Sequence, residues 1–198
     1  MIIVLVCPGI HDPQFTREFL RGLGEISKKI GWDFPPIWVF PAPENPAYSA
    51  SHILQFLEER WGNKGTVPEL VIIGFSAGVV GAIGAAWGWR WQGRTVKTLI
   101  AMDGWGVPLY GDFPIYRLSH DYFTHASSSL LGSGWVSFYA DPAVPHIDLW
   151  RMPDRVRGTQ MGNTARHSRL TAAEFITDIL QRHGGVDEHR DCPSPKSD

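Results

Sequence analysis

The sequence predicts an α/β fold: a three-layer sandwich with a mostly parallel sheet of about six strands and helices on both faces. Three observations predict it. Short apolar runs rich in Val, Ile and Leu recur along the chain, as strands buried on both faces require. Segments with helical apolar spacing separate them, which gives parallel pairing through crossover helices. The length of 198 residues suits one domain with its own core.

The elements follow in order. Ile2–Cys7 is a β-branched run that breaks at Pro8-Gly9. Asp12 then caps a helix with Pro13 at its first position and Phe15, Phe19, Leu23, Ile26 and Ile30 along one face. Ile37–Phe40 read as a second strand, closed by Pro41 and Pro43. Ser49 or Ser51 opens a helix carrying Ile53, Leu54, Phe56, Leu57 and Trp61, and Gly62 ends it. Leu70–Ile73 form a third strand, a fourth runs from near Val96 to Met102, and Trp135–Tyr139 form a fifth. Thr171 and Glu174 make a capping box for a last helix with Phe175, Ile176, Ile179 and Leu180 as its stripe. A single domain is therefore expected over 1–184, with a flexible polar tail at 185–198. The long connection 105–134, with a helix around Ser119–Leu131, is expected to form a lid.

Composition narrows the function. Eighteen Lys and Arg against twenty Asp and Glu give a net charge of -2, which supplies no field for nucleic acid or an anionic membrane. No apolar stretch reaches the roughly 18 residues of a membrane span. The two cysteines, Cys7 in an apolar run and Cys192 in a polar tail, sit in settings that argue against a bridge and suit a reducing compartment. A cytoplasmic location is expected.

The chemistry-bearing motif is Gly74-Phe75-Ser76-Ala77-Gly78, directly after an apolar strand and before a helix. A serine on a sharp strand-to-helix turn needs small neighbours, which Gly74 and Gly78 supply; Gly81, Ala82 and Ala85 let the helix approach the sheet. The helix N-terminus then directs its dipole and the Ala77 N–H toward the serine. Gly74–Gly81 also resembles a dinucleotide fingerprint, with Asp103 ending the next strand, but Ser76 stands where that pattern needs a glycine.

From strand through elbow to helix (70–86), and more loosely in the strand–helix order from Ile2 to Leu180, the chain resembles the α/β-hydrolase superfamily. It looks like a compact serine esterase/lipase-like member without the first two antiparallel strands of larger relatives. The resemblance implies a serine nucleophile (Ser76), a histidine base, an acid and a two-donor oxyanion hole. The Ile10 backbone N–H, after the first strand, and the Ala77 N–H are the expected donors. Pro8-Gly9-Ile10-His11 departs from the usual His-Gly order of that loop.

The acid and base stay open between alternatives. The family order is Ser, acid, His, which leaves His120, His125, His146 and His167 of the eight histidines. Asp103 with His146 is one consistent pair; Asp141 with His167 is the other. Residues 156–161 make a poor core strand, and Arg166 and Arg169 flank His167. Both points favour Asp103 with His146. A third set involves His120, Asp121 or His125, which also make a weak metal grouping without a thiolate. His11, Phe75 and Trp105 are the expected substrate-lining residues.

The sequence thus predicts a serine hydrolase that cleaves a small ester or thioester through an acyl-enzyme on Ser76, with no cofactor, no metal and a small-molecule substrate as partner. A catalytically inactive binding protein on the same fold is the alternative, and a dinucleotide-binding protein a more distant one.

Overall fold

Along β1 (Ile2–Cys7), Val4 and Val6 enter one core while Ile3, Leu5 and Cys7 enter another, on opposite faces of one sheet. This alternation on a strand apolar throughout is what a sheet covered on both sides demands. The computed structural model describes residues 1–62, 65–132, 134, 136–162 and 169–185. After β1 come α1 (Pro13–Ile30), β2 (Ile37–Val39), α2 (Ala50–Trp61), β3 (Glu69–Phe75), α3 (Ala77–Trp91) and β4 (Val96–Met102). The second half holds β5 (Ile115–Ser119), α4 (Tyr122–Ser129), β6 (Val136–Ala140), α5 (His146–Arg151), β7 (Arg157–Gly162), β8 (Arg169–Thr171) and α6 (Ala172–Gly184).

Among the described residues these strands form one mixed sheet in the order β2-β1-β3-β4-β5-β6-β7-β8. The strands from β2 to β6 are parallel, and β7 and β8 add antiparallel at the far side. The expected sheet of about six mostly parallel strands is therefore corrected to eight in a mixed arrangement. Two strands that the apolar pattern does not clearly mark explain themselves chemically. β7 carries Gly158, Thr159 and Gln160 and is only partly buried, so it shows no apolar run. β5 is fully buried but carries Arg117 and Ser119, which interrupt its apolar signal.

That second strand also changes the reading of 105–134. This span contains β5, hydrogen-bonded between β4 and β6, so it contributes to the sheet as well as to the surface above it. The predicted helix around Ser119–Leu131 shortens to α4. Phe19, Leu23 and Ile26 of α1, Leu149 and Trp150 of α5 and the apolar stripe of α6 cover one sheet face. Ile53 and Leu57 of α2 and Val79, Ala82, Ala85 and Ala86 of α3 cover the other.

The caps behave as their residue types require. Asp12 accepts from Gln14 N–H at 2.7 Å at the start of α1, where Pro13 leaves no orphan donor. Ser49 caps α2, and the reciprocal Thr171–Glu174 box starts α6. No helix among the described residues is long and apolar enough to cross a membrane. Cys7 is buried, which pushes its thiol well above the usual range; Cys192 lies outside the described residues.

Two glycines let the site form. A Cβ on Gly78 would sit far inside contact distance of the Cys7 and Pro8 carbonyl oxygens, and one on Gly9 would meet Phe75 O at 3.0 Å and Ser76 Cβ at 3.1 Å. So the first turn of α3 and the loop after β1 touch through bare backbone. Gly81, expected to face the sheet, instead meets Ala47 O ahead of α2. Because backbone cannot yield as a flexible side chain does, Gly78→Ala should cost about 3 kcal/mol. Urea unfolding of the variant beside the wild type measures this directly.

Candidate active site

Ser76 stands between β3 and α3 with φ 53° and ψ -123°, a backbone conformation that L-residues rarely adopt. Its N–H donates to Met102 O at 2.9 Å, and its carbonyl accepts from Val79 N–H at 3.0 Å. The turn is thus tied both to the next strand and to the helix it starts. The Ser76 hydroxyl has no hydrogen-bond partner among the described residues.

One strand over, Asp103 ends β4 with φ 50°, again on the left-handed side. Its N–H donates to Leu118 O at 2.8 Å. An aspartate before a glycine tolerates that conformation better than most residues. The carboxylate is almost fully buried, with side-chain exposure of 1%. Such an anion must be hydrogen-bonded to persist. Three N–H groups meet it: His120 N to Oδ1 at 2.9 Å, His120 Nδ1 to Oδ2 at 3.0 Å and His146 Nδ1 to Oδ2 at 2.9 Å.

The two imidazoles differ in what holds their outer nitrogens. His120 Nε2 lies 3.6 Å from Asp121 Oδ2, so that ring is flanked by carboxylates on both sides. The Asp103 hydrogen bond raises its pKa above the usual imidazole range, burial opposes this, and the charges of Asp103 and Asp121 add to the rise. His146, at the start of α5, has no hydrogen-bond partner on Nε2 among the described residues. Its ring stacks on Phe75 with centroids 4.7 Å apart. Phe75 in turn stacks on Trp150 at 4.9 Å, and Trp150 on Phe19 at 3.8 Å. A column of rings thus runs from α1 to His146.

Ser76, Ala77, Asp103, His120 and His146 share one cavity of about 530 Å³, closed by Val80, Trp105, Val107, Phe123 and Thr124. Trp105 is 67% exposed at its mouth and donates from Nε1 to Ser127 Oγ at 3.2 Å. Beneath the rim, buried Arg117 donates to the backbone oxygens of Val107, Leu131 and Gly132. Burial pushes the guanidinium down to about 10. Arg117 therefore ties the segment after β4 to the end of α4, with no carboxylate partner among the described residues.

The sequence-derived residues are distributed unevenly. Ser76, Asp103, His146, Ala77 and Trp105 meet in the cavity. The Gly9–Ile10 backbone lies against the elbow through the Gly9 contacts, and Ile10 is 78% exposed. Neither the Ile10 nor the Ala77 N–H has a partner among the described residues. Phe75 is 1% exposed and supports His146 from below rather than lining the cavity. His11 lines a separate hollow with Pro8, Gly9 and Thr16, where its ring meets Phe75 at 5.7 Å. Asp141, at the end of β6, is not among the cavity-lining residues; its carbonyl accepts from Arg169. His167 lies outside the described residues. His120 entered the sequence reading only within a third set of candidates. Its adjacency to Asp121 is the one signal the sequence offers, since Arg117 and Ser119 interrupt the apolar run of the strand before it.

Among the described residues, the group close enough to share a metal ion is Asp103, His120 and His146, whose ligand atoms lie within 4.8 Å of one another. The His120, Asp121 and His125 grouping weighed from the sequence is not formed as such. No protein-family model matches this chain, and no curated protein sequence is similar to it.

His125 on α4 gives a pH signature. Burial, then the charge of Arg117, lower its pKa below the imidazole norm, and its Nδ1 is buried without a partner among the described residues. The unfolded chain therefore takes up this proton first as pH falls below about 6.5. The stabilisation is complete above that pH and is lost on acidification. Chemical unfolding of His125→Phe and wild type between about pH 7 and pH 5 should show the variant losing less stability over that range.

Proposed function

We propose that this protein is a serine hydrolase of the α/β-hydrolase type that transfers an acyl group from a small ester or thioester to water. One observation carries the reading: a serine on a left-handed strand-to-helix turn faces the same cavity as a histidine bonded to a buried aspartate. A structural serine has no need of that backbone, and a structural histidine has no need of that carboxylate.

His146, rather than His120, is the base in this reading. The Asp103 carboxylate accepts from His146 Nδ1, which fixes the tautomer that leaves Nε2 with its lone pair. His120 has carboxylates on both nitrogens and is held toward its protonated form. As Ser76 Oγ attacks the carbonyl carbon, its proton passes to His146 Nε2, which must approach to about 3 Å for the transfer. The imidazolium is stabilised by Asp103. The carbonyl oxygen gains negative charge, toward which the Ala77 and Ile10 N–H groups serve as donors, each worth roughly 3 kcal/mol in such sites. Collapse expels the leaving group, which takes the proton from His146. Water then repeats the sequence on the acyl-Ser76 ester and regenerates the hydroxyl.

The cavity bounds the substrate. Its walls include Val80, Val107, Trp105 and Phe123, with no Lys or Arg among the described residues that line it. A neutral, compact acyl group fits that lining better than a charged or polymeric one.

The free hydroxyl of Ser76 is the feature that favours the alternative, a binding protein without turnover. Hydrolysis of p-nitrophenyl acetate and butyrate separates the two. Wild type should turn them over, and Ser76→Ala should lose about 1,000-fold or more in kcat while keeping its circular dichroism and melting temperature. Turnover by Ser76→Ala at the wild-type rate, or none by wild type, would reject the hydrolase reading.

A further inference from the structure

Acyl transfer leaves His120 without a task. A triad needs one imidazole on its carboxylate, and Asp103 carries two. Both present the same atom, Nδ1, to the same oxygen, Oδ2, at 3.0 and 2.9 Å. The other carboxylate oxygen is occupied by the His120 backbone N–H at 2.9 Å, so Oδ2 is the oxygen left to bind.

We propose that Asp103, His120 and His146 form a binding site for a divalent transition-metal ion of the zinc class, and that the ion switches the serine site off. The second half rests on Ser76 being the nucleophile; the first does not.

The donor set selects the ion. Two imidazole nitrogens and one carboxylate oxygen suit zinc, cobalt, nickel or copper, whereas calcium and magnesium take oxygen donors. The spacing is nearly right already. Ligand atoms about 2.0–2.1 Å from a tetrahedral ion stand roughly 3.3 Å apart. The Asp103 oxygen needs to retreat by a few tenths of an ångström from each ring. One nitrogen of each ring lies within 4.8 Å of the other ring's, so the two rings need to close by at most about 1.5 Å. All three ligand residues line the cavity that holds Ser76, so an ion held by them would face that cavity.

The surroundings are those of a supported site. A metal-bound histidine commonly gives its other ring N–H to a carboxylate. Asp121 Oδ2, 3.6 Å from His120 Nε2, is placed for that bond. Asp121 is itself fixed, since it caps α4 by accepting from Thr124 N–H at 2.6 Å. The His146 ring is fixed by its stack on Phe75.

Inhibition follows from where the protons go. The ion binds through the Nδ1 lone pairs, so both Nδ1–H bonds must break. In a neutral ring the proton is relocated to Nε2; a ring that carried two protons releases one to solvent. Either way His146 Nε2 then carries hydrogen and cannot accept the Ser76 proton. Asp103 meanwhile donates its charge to the ion instead of to an imidazolium. No oxidation or group transfer is involved.

Binding is read on Ser76→Ala protein, which needs no activity. Zinc chloride in a calorimeter should bind one ion per chain, with Kd on the order of micromolar. Cobalt chloride should give the visible bands of a four-coordinate ion. Adding His120→Asn should weaken zinc about 100-fold, and Asp121→Asn, which keeps the α4 cap, about 10-fold. Imidazole NMR signals of His120 and His146 should both shift in the Ser76→Ala protein with its histidines intact, which guards against a misfolded variant. An unchanged affinity in the His120→Asn background, or no binding, overturns the site. In wild type, zinc should abolish p-nitrophenyl butyrate hydrolysis and EDTA restore it. Zinc bound without loss of hydrolysis overturns the switch alone. Zinc binding in a protein that hydrolyses nothing rejects the hydrolase reading while the metal site stands.

Discussion

Everything at this site depends on two strand ends that bend the wrong way for ordinary residues. Ser76 and Asp103 are the non-glycine residues with positive φ among the described residues, and they end neighbouring strands. Each such conformation costs about 1–3 kcal/mol and persists only where the surroundings leave no alternative. Here the surroundings are specific. The Ser76 N–H is held by Met102 and the Asp103 N–H by Leu118, so each bend is pinned by the strand beside it. Gly78 and Gly9 remove the side chains that would push the loop after β1 away from the elbow. Strain at the centre is thereby balanced by the packing of β1, β3, β4 and β5.

The second constraint is orientation of the histidine. His146 belongs to a six-residue helix, which is too short to be rigid alone. It is positioned from two directions instead. Asp103 fixes the ring nitrogen, and the Phe75, Trp150 and Phe19 column fixes the ring plane. Phe75 links the two devices, since it immediately precedes Ser76 in the chain and lies under His146 in space. The Ser76 turn and the His146 ring are therefore positioned by one contiguous piece of core.

How much of this was legible in the sequence tracks how local each signal is. Gly74–Gly78 after an apolar run specifies the elbow within a few residues. The caps at Asp12, Ser49 and Thr171 are equally local and coincide with the helix starts. The pairing of Asp103 with His146 rested on chain order and strand quality, and the two side chains do meet. What escaped was non-local. The burial of β5 depends on neighbours on both sides, and Arg117 disguises it because its guanidinium is satisfied by backbone oxygens from distant segments. Their sequence positions point Phe75 and His11 to the substrate, whereas packing against Trp150 of α5 buries Phe75 and leaves His11 lining a separate hollow. The second imidazole on Asp103 could be seen only once β4 and β5 were side by side.

The most direct measurement is to label the protein with a fluorophosphonate and locate the adduct, first by peptide mass spectrometry and then by crystallography. One adduct on Ser76 Oγ is expected, its phosphoryl oxygen accepting from the Ala77 N–H and His146 Nε2 facing the substituted oxygen. An adduct on any other residue, or intact protein after prolonged labelling, would contradict it.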